Sequence, residues 1–340
     1  MRKILVAAAS LGLLLVLALI TELAFGTWFS QDPLDALGLA RDSAVTVSPA
    51  ALYSGAADFT YRRDHWGLRG AGTDPAQVTI LTVGGTTTDQ PTLPDEATWQ
   101  AVMERELRAA GRPAVVANAG LDGQATAGHL RAMAEWFPQV PGLKPRFILF
   151  SVGAEEAGSG GADIERRPGR FDRIRRHSAL WRWAAKFSGA ADERREPPGH
   201  RRVDYDHAEW TDKPAEGRPQ PPGSSPDAFR ERLRQLAVAA HGMGAVPVFV
   251  TQARGDFKVV DGKVLGVVEP GGLNGIDQYR LLSAYNQATR QVCGDEGLLC
   301  LDLARELTFE RGDFYDYLHN TPQGAEKIGR WLASKLAGLV

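Results

Sequence analysis

The chain has 340 residues, 44% of them apolar and 24% charged, a balance that excludes wholesale disorder and a polytopic membrane protein. Its formal net charge of -2 lacks the excess of Lys and Arg that phosphate-backbone affinity requires, so no nucleic-acid partner is expected. The length suits one large α/β domain with an anchor and an insertion.

Arg2 and Lys3 precede an apolar run from Ile4 to Ile20, which continues past Thr21 and Glu22 through Leu23, Ala24 and Phe25. A helix of about 20 apolar residues crosses the hydrocarbon core, and basic residues stay on the cytoplasmic side. The run reads either as an uncleaved single-pass anchor in an inner membrane or as a signal peptide cut near Ala24-Phe25-Gly26; its length favours the anchor. Both readings put the body of the chain in the periplasm or another extracytoplasmic space. Residues 1–28 are assigned to this anchor, through which the membrane is a partner. Residues 29–75, broken by Pro and Gly, are assigned to an irregular lead-in ending in His65-Trp66-Gly67-Leu68-Arg69-Gly70.

From residue 76 to 340 a regular alternation is expected. Short β-rich runs at Val78 to Val83, Ala114 to Ala119, Phe147 to Val152, Val246 to Val250 and Leu299 to Leu303 are separated by segments with helical apolar spacing. That pattern predicts a doubly wound α/β fold on a mainly parallel sheet of five strands with helices on both faces. Trp99, Val102, Met103 and Leu107 mark one crossover helix, and Phe229, Leu233 and Leu236 another.

Residues 158–226 interrupt the pattern as an insertion rich in Gly, Pro and Arg. Phe171, Ile174, Trp181 and Ala185 fall on one helical face with Arg170, Arg173, Arg175, Arg176 and Arg182 around it. The face is expected to pack on the domain; a membrane surface or a protein partner is the alternative. Glu193 to Ser225 reads as a long mobile loop. Cys293 and Cys300 either form a disulfide, which an oxidising compartment permits, or stay as two buried thiols.

In open α/β sheets the ligand sits at the carboxyl ends of the strands. There the first strand runs into Gly84-Gly85-Thr86-Thr87-Thr88, a tight turn presenting a hydroxyl near a helix N-terminus. The second runs into Asn118-Ala119-Gly120-Leu121-Asp122-Gly123, and the third into Gly153-Ala154-Glu155-Glu156. Phe314 to Gly324 places Asp316 three residues before His319, just ahead of the last helix.

These blocks, in this order, resemble those of the SGNH hydrolases, also called the GDSL-like family, and specifically its membrane-anchored bacterial members. The likeness spans residues 60 to 340 and includes Trp66 to Gly70. It implies a nucleophile at Thr86, a base at His319 oriented by Asp316, and oxyanion or binding positions at Gly85, Gly120 and Glu155. In such a site the aspartate fixes the imidazole tautomer, the imidazole removes the hydroxyl proton, and amides stabilise the tetrahedral oxyanion. Two departures stand out. Thr86 replaces the family's serine, adding a methyl that crowds attack and restricts χ1. Glu155 replaces an asparagine, exchanging an oxyanion donor for a group that only accepts when ionised.

The other histidines, His65, His129, His177, His200, His207 and His241, show no ligand spacing with a second His or Cys and are expected on the solvated surface, so no metal is predicted. No nucleotide fingerprint occurs, and no cofactor is expected. Two functions remain. One is an anchored ester hydrolase or acyltransferase acting on an ester-bearing glycan or small acyl ester. The other is a catalytically impaired domain of the same kind that binds a glycan or a protein within a membrane complex, the insertion offering the protein surface.

Overall fold

The computed structural model describes residues 2–29, 32–158, 174, 177–187, 200–216 and 225–340. The expected helical face through Phe171, with Arg170, Arg173, Arg175 and Arg176, therefore lies largely outside the described residues. The chain divides into two compact units, Met1–Leu39 with Arg166–Arg194, and Ala40–Glu165 with Arg195–Val340. In the first, α1 (Arg2–Phe25) is apolar along its length and has no buried residue. It is long and apolar enough to cross a membrane.

The second unit opens with an antiparallel hairpin, β1 (Ser43–Val47) and β2 (Phe59–Arg63). The chain then enters β3 (Ile80–Gly84), α2 (Thr86–Asp89), α3 (Trp99–Ala109), β4 (Val116–Asn118) and β5 (Phe147–Ser151). After β6 (Trp210–Thr211) come α4 (Pro226–Gly242), β7 (Val246–Val250), β8 (Phe257–Val260) and β9 (Lys263–Val267). The chain ends through α5 (Gly275–Glu296), β10 (Leu299–Leu301) and α6 (Pro322–Leu336).

The main sheet has five strands in the order β10-β7-β5-β3-β4, all parallel. Such a sheet is covered on both faces, which is why its strands read as apolar runs. Ile80, Leu149, Val248 and Val250 join one core with Trp99, Met103 and Leu107 of α3 and Ile328 and Leu332 of α6. By the alternation of strand side chains, Phe150 and Phe249 point the other way and stack at 5.3 Å, while Phe229 of α4 meets Tyr285 of α5 edge-on at 5.1 Å. Each such side chain, fully buried, contributes about 1.5–3 kcal/mol. The α3 and α6 termini are set by Thr98 and Thr321, whose hydroxyls accept from Ala101 and Gly324.

From β3 the chain steps outward to β4, then crosses back to β5 on the other side of β3. The reversal opens a crevice beyond the carboxyl end of β3, where ligands bind in such sheets.

Residues 43–63, expected as an irregular lead-in, form a hairpin that bridges on through Arg69 to Asn118 at the end of β4. Its strands were masked by charge: Arg63 and Arg69 are buried, and their guanidiniums are satisfied inside the domain. The expected mobile loop also differs in its described part. Residues 200–216 carry β6, which pairs with β9, and β9 pairs with β8, giving a separate antiparallel sheet of three strands. Val203 N–H donates to Tyr315 O at 2.8 Å, tying this segment to the last turn before α6. Cys293 near the end of α5 and Cys300 in β10 are joined as a disulfide, with their Cα atoms 5.9 Å apart.

Candidate active site

At the carboxyl end of β3 the backbone passes too close to its neighbours for side chains. A Cβ on Gly84 would meet the Thr88 side chain and Ser151 O, and one on Gly85 would meet the Glu155 carboxyl. Thr86 then starts α2 as a buried residue. Its N–H donates to Glu155 Oε1 at 2.9 Å. Its hydroxyl donates to Asp122 Oδ1 at 2.6 Å and accepts from Gly123 N–H at 2.9 Å. Burial raises the Glu155 carboxyl above the usual range; hydrogen bonds from Thr86 and the His319 charge oppose the shift, and the nearby Asp122 adds to it.

Buried polar contacts hold this turn. Asn118 Nδ2 donates to Thr88 O at 2.8 Å, and Asn118 Oδ1 accepts the Gly120 N–H at 2.9 Å. A Cβ on Gly120 would run into the backbone of Thr88 and Asp89, so the second block must be glycine there. Arg63 Nη2 bridges Asp89 Oδ1 at 2.9 Å and Gly120 O at 2.7 Å, linking α2 to the second block. Arg69 caps carbonyls of Asp89, Gln90 and Leu93.

The other side of the site is the turn before α6. Asp316 Oδ1 accepts the N–H groups of Leu318 at 2.9 Å and His319 at 2.7 Å, and Oδ2 takes His319 Nδ1 at 2.8 Å. Burial works against the Asp316 charge, but His319 and these two amides outweigh it and hold the carboxyl below its ordinary value. With Nδ1–H committed to Asp316, the lone pair of His319 lies on Nε2. That atom is buried and has no hydrogen-bond partner among the described residues. One cavity is lined by Thr87 and Ser151 from the first side and by Leu318 and Asn320 from the second, so the two sides face one site.

Two histidines depart from the expected solvated surface. His129 is fully buried, which pushes its pKa down to about 3, and its Nδ1 meets Gln124 Oε1 at 2.9 Å. His200 packs its ring 4.3 Å from that of His319, with Nδ1 2.6 Å from Tyr315 Oη and 3.9 Å from Asp316 Oδ2. Burial, reinforced by repulsion from His319, lowers His200 to about 4, against the pull of Asp316 and Asp122. Among the described residues His200, Asp316 and His319 are a group whose ligand atoms lie within 4.8 Å of one another. The carboxylate oxygen between them is already committed to His319 Nδ1.

Thr86, Gly85, Gly120 and Glu155 thus gather at one end of the site and Asp316 with His319 at the other. The two sides do not join through a hydrogen bond: the Thr86 proton goes to Asp122, and His319 Nε2 takes none. The Gly120 amide, expected to face an oxyanion, is also engaged, by Asn118, and the Thr86 amide is engaged by Glu155. Sequence reasoning missed Asp122 and His200. Asp122 had a signal, since it stands in the second block beside Gly123; His200, more than a hundred residues from either partner, had none.

Comparison with known proteins places these blocks in a family. The GDSL-like lipase/acylhydrolase family matches residues 81–327, from within β3 into α6. Similar solved structures include a member of the lipolytic G-D-S-L family from Veillonella parvula, at 11% identity over 77% of this chain and 100% of that one, TM-score 0.45. A catalytic mutant of an acetylxylan esterase from Geobacillus stearothermophilus is similar at 13% identity over 76% and 94%, TM-score 0.43. A carbohydrate acetylesterase from Sinorhizobium meliloti is similar at 12% identity over 78% and 100%, TM-score 0.43. No curated protein matches. With the family's pattern covering most of its length, this chain belongs to the GDSL-like lipase/acylhydrolase family.

Proposed function

We propose that the chain is an anchored, extracytoplasmic ester hydrolase or acyltransferase acting on O-acyl groups of an envelope or exported glycan. The observation that carries this reading is His319, fixed through Nδ1 to Asp316 with Nε2 buried and unpartnered among the described residues. An imidazole held by one nitrogen and open at the other is arranged to move a proton. In this reading Thr86 Oγ1 attacks the acyl carbon, His319 takes the hydroxyl proton and returns it to the leaving alcohol, and water or a sugar hydroxyl then accepts the acyl group. The helix α1 holds the enzyme in the inner membrane as a single-pass anchor, with the catalytic unit in the periplasm or an equivalent space.

The second reading, an impaired domain that binds a glycan or partner protein, has its own support. Glu155 occupies the Thr86 amide and Asp122 holds the Thr86 hydroxyl, so nucleophile and oxyanion donors are both engaged at rest. A series of acyl esters tested on the full chain in detergent separates the two. Turnover lost by about 10³-fold or more in both Thr86→Ala and His319→Ala supports the enzyme. Turnover unmoved by either variant, or none in the parent chain on any ester, favours the binder.

A further inference from the structure

Glu22 is the one carboxylate in α1, and it lies in the last turn of a helix otherwise made for hydrocarbon. An ionisable group at such a place is costly unless it is satisfied. Its oxygens have four donors. Oε1 accepts from Ser178 Oγ at 2.6 Å and Leu180 N–H at 3.0 Å; Oε2 accepts from Trp28 Nε1 at 2.6 Å and Ala179 N–H at 3.1 Å. Ala179 and Leu180 begin the helix Ala179–Phe187, whose first amides have no partner within their own helix. Glu22 therefore caps that helix from a different element, with a negative charge where the dipole favours one.

The same short stretch is latched further along. Thr27 N–H donates to His177 O at 2.9 Å, Trp28 lies 5.9 Å from the His177 ring, and Phe25 meets Trp183 at 5.5 Å. These contacts leave apolar surface uncovered: Leu180, Trp181 and Trp183 are 39%, 48% and 43% exposed, and Phe25 and Phe29 more so. The exposed aromatics continue directly from the last turn of α1, which itself has no buried residue. Tryptophan at such a boundary suits the headgroup level of a bilayer, where its ring is buried and its N–H stays wet.

We propose that Ala179–Phe187 is an interfacial helix that seats on the lipid headgroup boundary, held to the exit of α1 by Glu22. The proposal rests on the reading of α1 as a membrane anchor. Continuity of the exposed aromatic face with α1 selects lipid over a protein as its occupant.

The test uses the full chain in phosphatidylcholine vesicles containing lipid brominated near the headgroup. Trp28, Trp181 and Trp183 are the tryptophans at this boundary, so Trp181→Phe with Trp183→Phe should remove about two-thirds of the lipid-quenched emission. Glu22→Ala should release the helix and lower the same component, while Glu22→Gln, which keeps an accepting oxygen, should retain most of it. Quenching unchanged in the double Trp variant, with the chain still resisting an alkaline wash, would overturn the interfacial helix and leave the anchor intact. Quenching unchanged in Glu22→Ala would overturn the latch. A parent chain that washes off the vesicles would sink the anchor reading and this proposal with it.

Discussion

The two sides of the site are built in opposite ways. On the side before α6 the contacts suit the proposed proton transfer: Asp316 is held charged by two amides, it fixes His319 Nδ1, and His319 Nε2 has no hydrogen-bond partner among the described residues. On the β3 side, the groups that reaction needs are engaged already, with Asp122 on the Thr86 hydroxyl, Glu155 on the Thr86 amide and Asn118 on that of Gly120. A histidine arranged as a base therefore does not by itself imply a site at rest in a reactive arrangement.

The strongest way to break the comparison is to dismantle the β3 side alone. Arg63 is buried against Asp89, with both side chains less than 5% exposed, and it also holds Gly120 O. Arg63→Met leaves Asp89 as an uncompensated buried charge, which costs about 3–5 kcal/mol. Chemical denaturation should show that loss. Arg63→Met with Asp89→Leu should recover much of it, because a buried pair replaced together is often neutral. A loss under 1 kcal/mol for the single variant would mean that Asp89 finds another partner.

The second way is to install the serine and asparagine that the resemblance implies at Thr86 and Glu155. Thr86→Ser with Glu155→Asn removes the crowding methyl and exchanges an acceptor for a donor. One oxyanion donor is worth about 10²–10³ in rate, so kcat on an acyl ester should rise by that order. No gain would place the limit elsewhere, at the bond of the Thr86 hydroxyl to Asp122 or at the Gly120 amide that Asn118 holds.

How much of this was legible beforehand follows from where the information sits. The five parallel strands were readable because strands buried on both faces must be apolar throughout, and Val246–Val250 was bounded to the residue. The hairpin of β1 and β2 was not, because Thr60, Arg62 and Arg63 read as loop, and the buried partners of Arg63, Asp89 and Gly120, lie far along the chain. The hairpin of β8 and β9 did leave a signal. Asp261-Gly262 takes positive φ at both residues, the turn that an Asp-Gly pair between β-branched runs predicts. Within the site, the blocks located Thr86, Glu155, Asp316 and His319, since each follows its strand or precedes its helix at short range. What short range could not give was which group each side chain would choose: Thr86 selects Asp122, and His200 arrives from the insertion.

Asp122 permits a finer cut. A hydrogen bond to a charged group contributes about 1.5–3 kcal/mol, and in the proposed reaction that bond must break before His319 takes the Thr86 proton. If Asp122 restrains the nucleophile, Asp122→Ala should raise kcat about 10- to 100-fold. If Asp122 is itself the base, kcat falls instead.

The smallest effect separates the two sides by pH. His200 has its pKa lowered to about 4, below the roughly 6.5 of an unfolded histidine, so between those values the unfolded chain binds more protons. Its contribution to stability rises with pH across that window and is lost on acidification. Asp316, also lowered, acts in the same direction at still lower pH: its stabilisation is present above the unfolded value and disappears as pH falls through the folded one. Glu155 is raised, so its contribution is complete below the unfolded value and is lost as pH rises through the folded one. The base side therefore weakens in acid while the nucleophile side relaxes. Melting temperatures from pH 4 to 7 should accordingly rise less steeply in His200→Gln and more steeply in Glu155→Gln than in the parent, with differences of about 2–4 °C per kcal/mol. Parallel curves in all three proteins would mean that neither side chain changes its proton affinity on folding, and the opposed construction of the two sides would then have to rest on geometry alone.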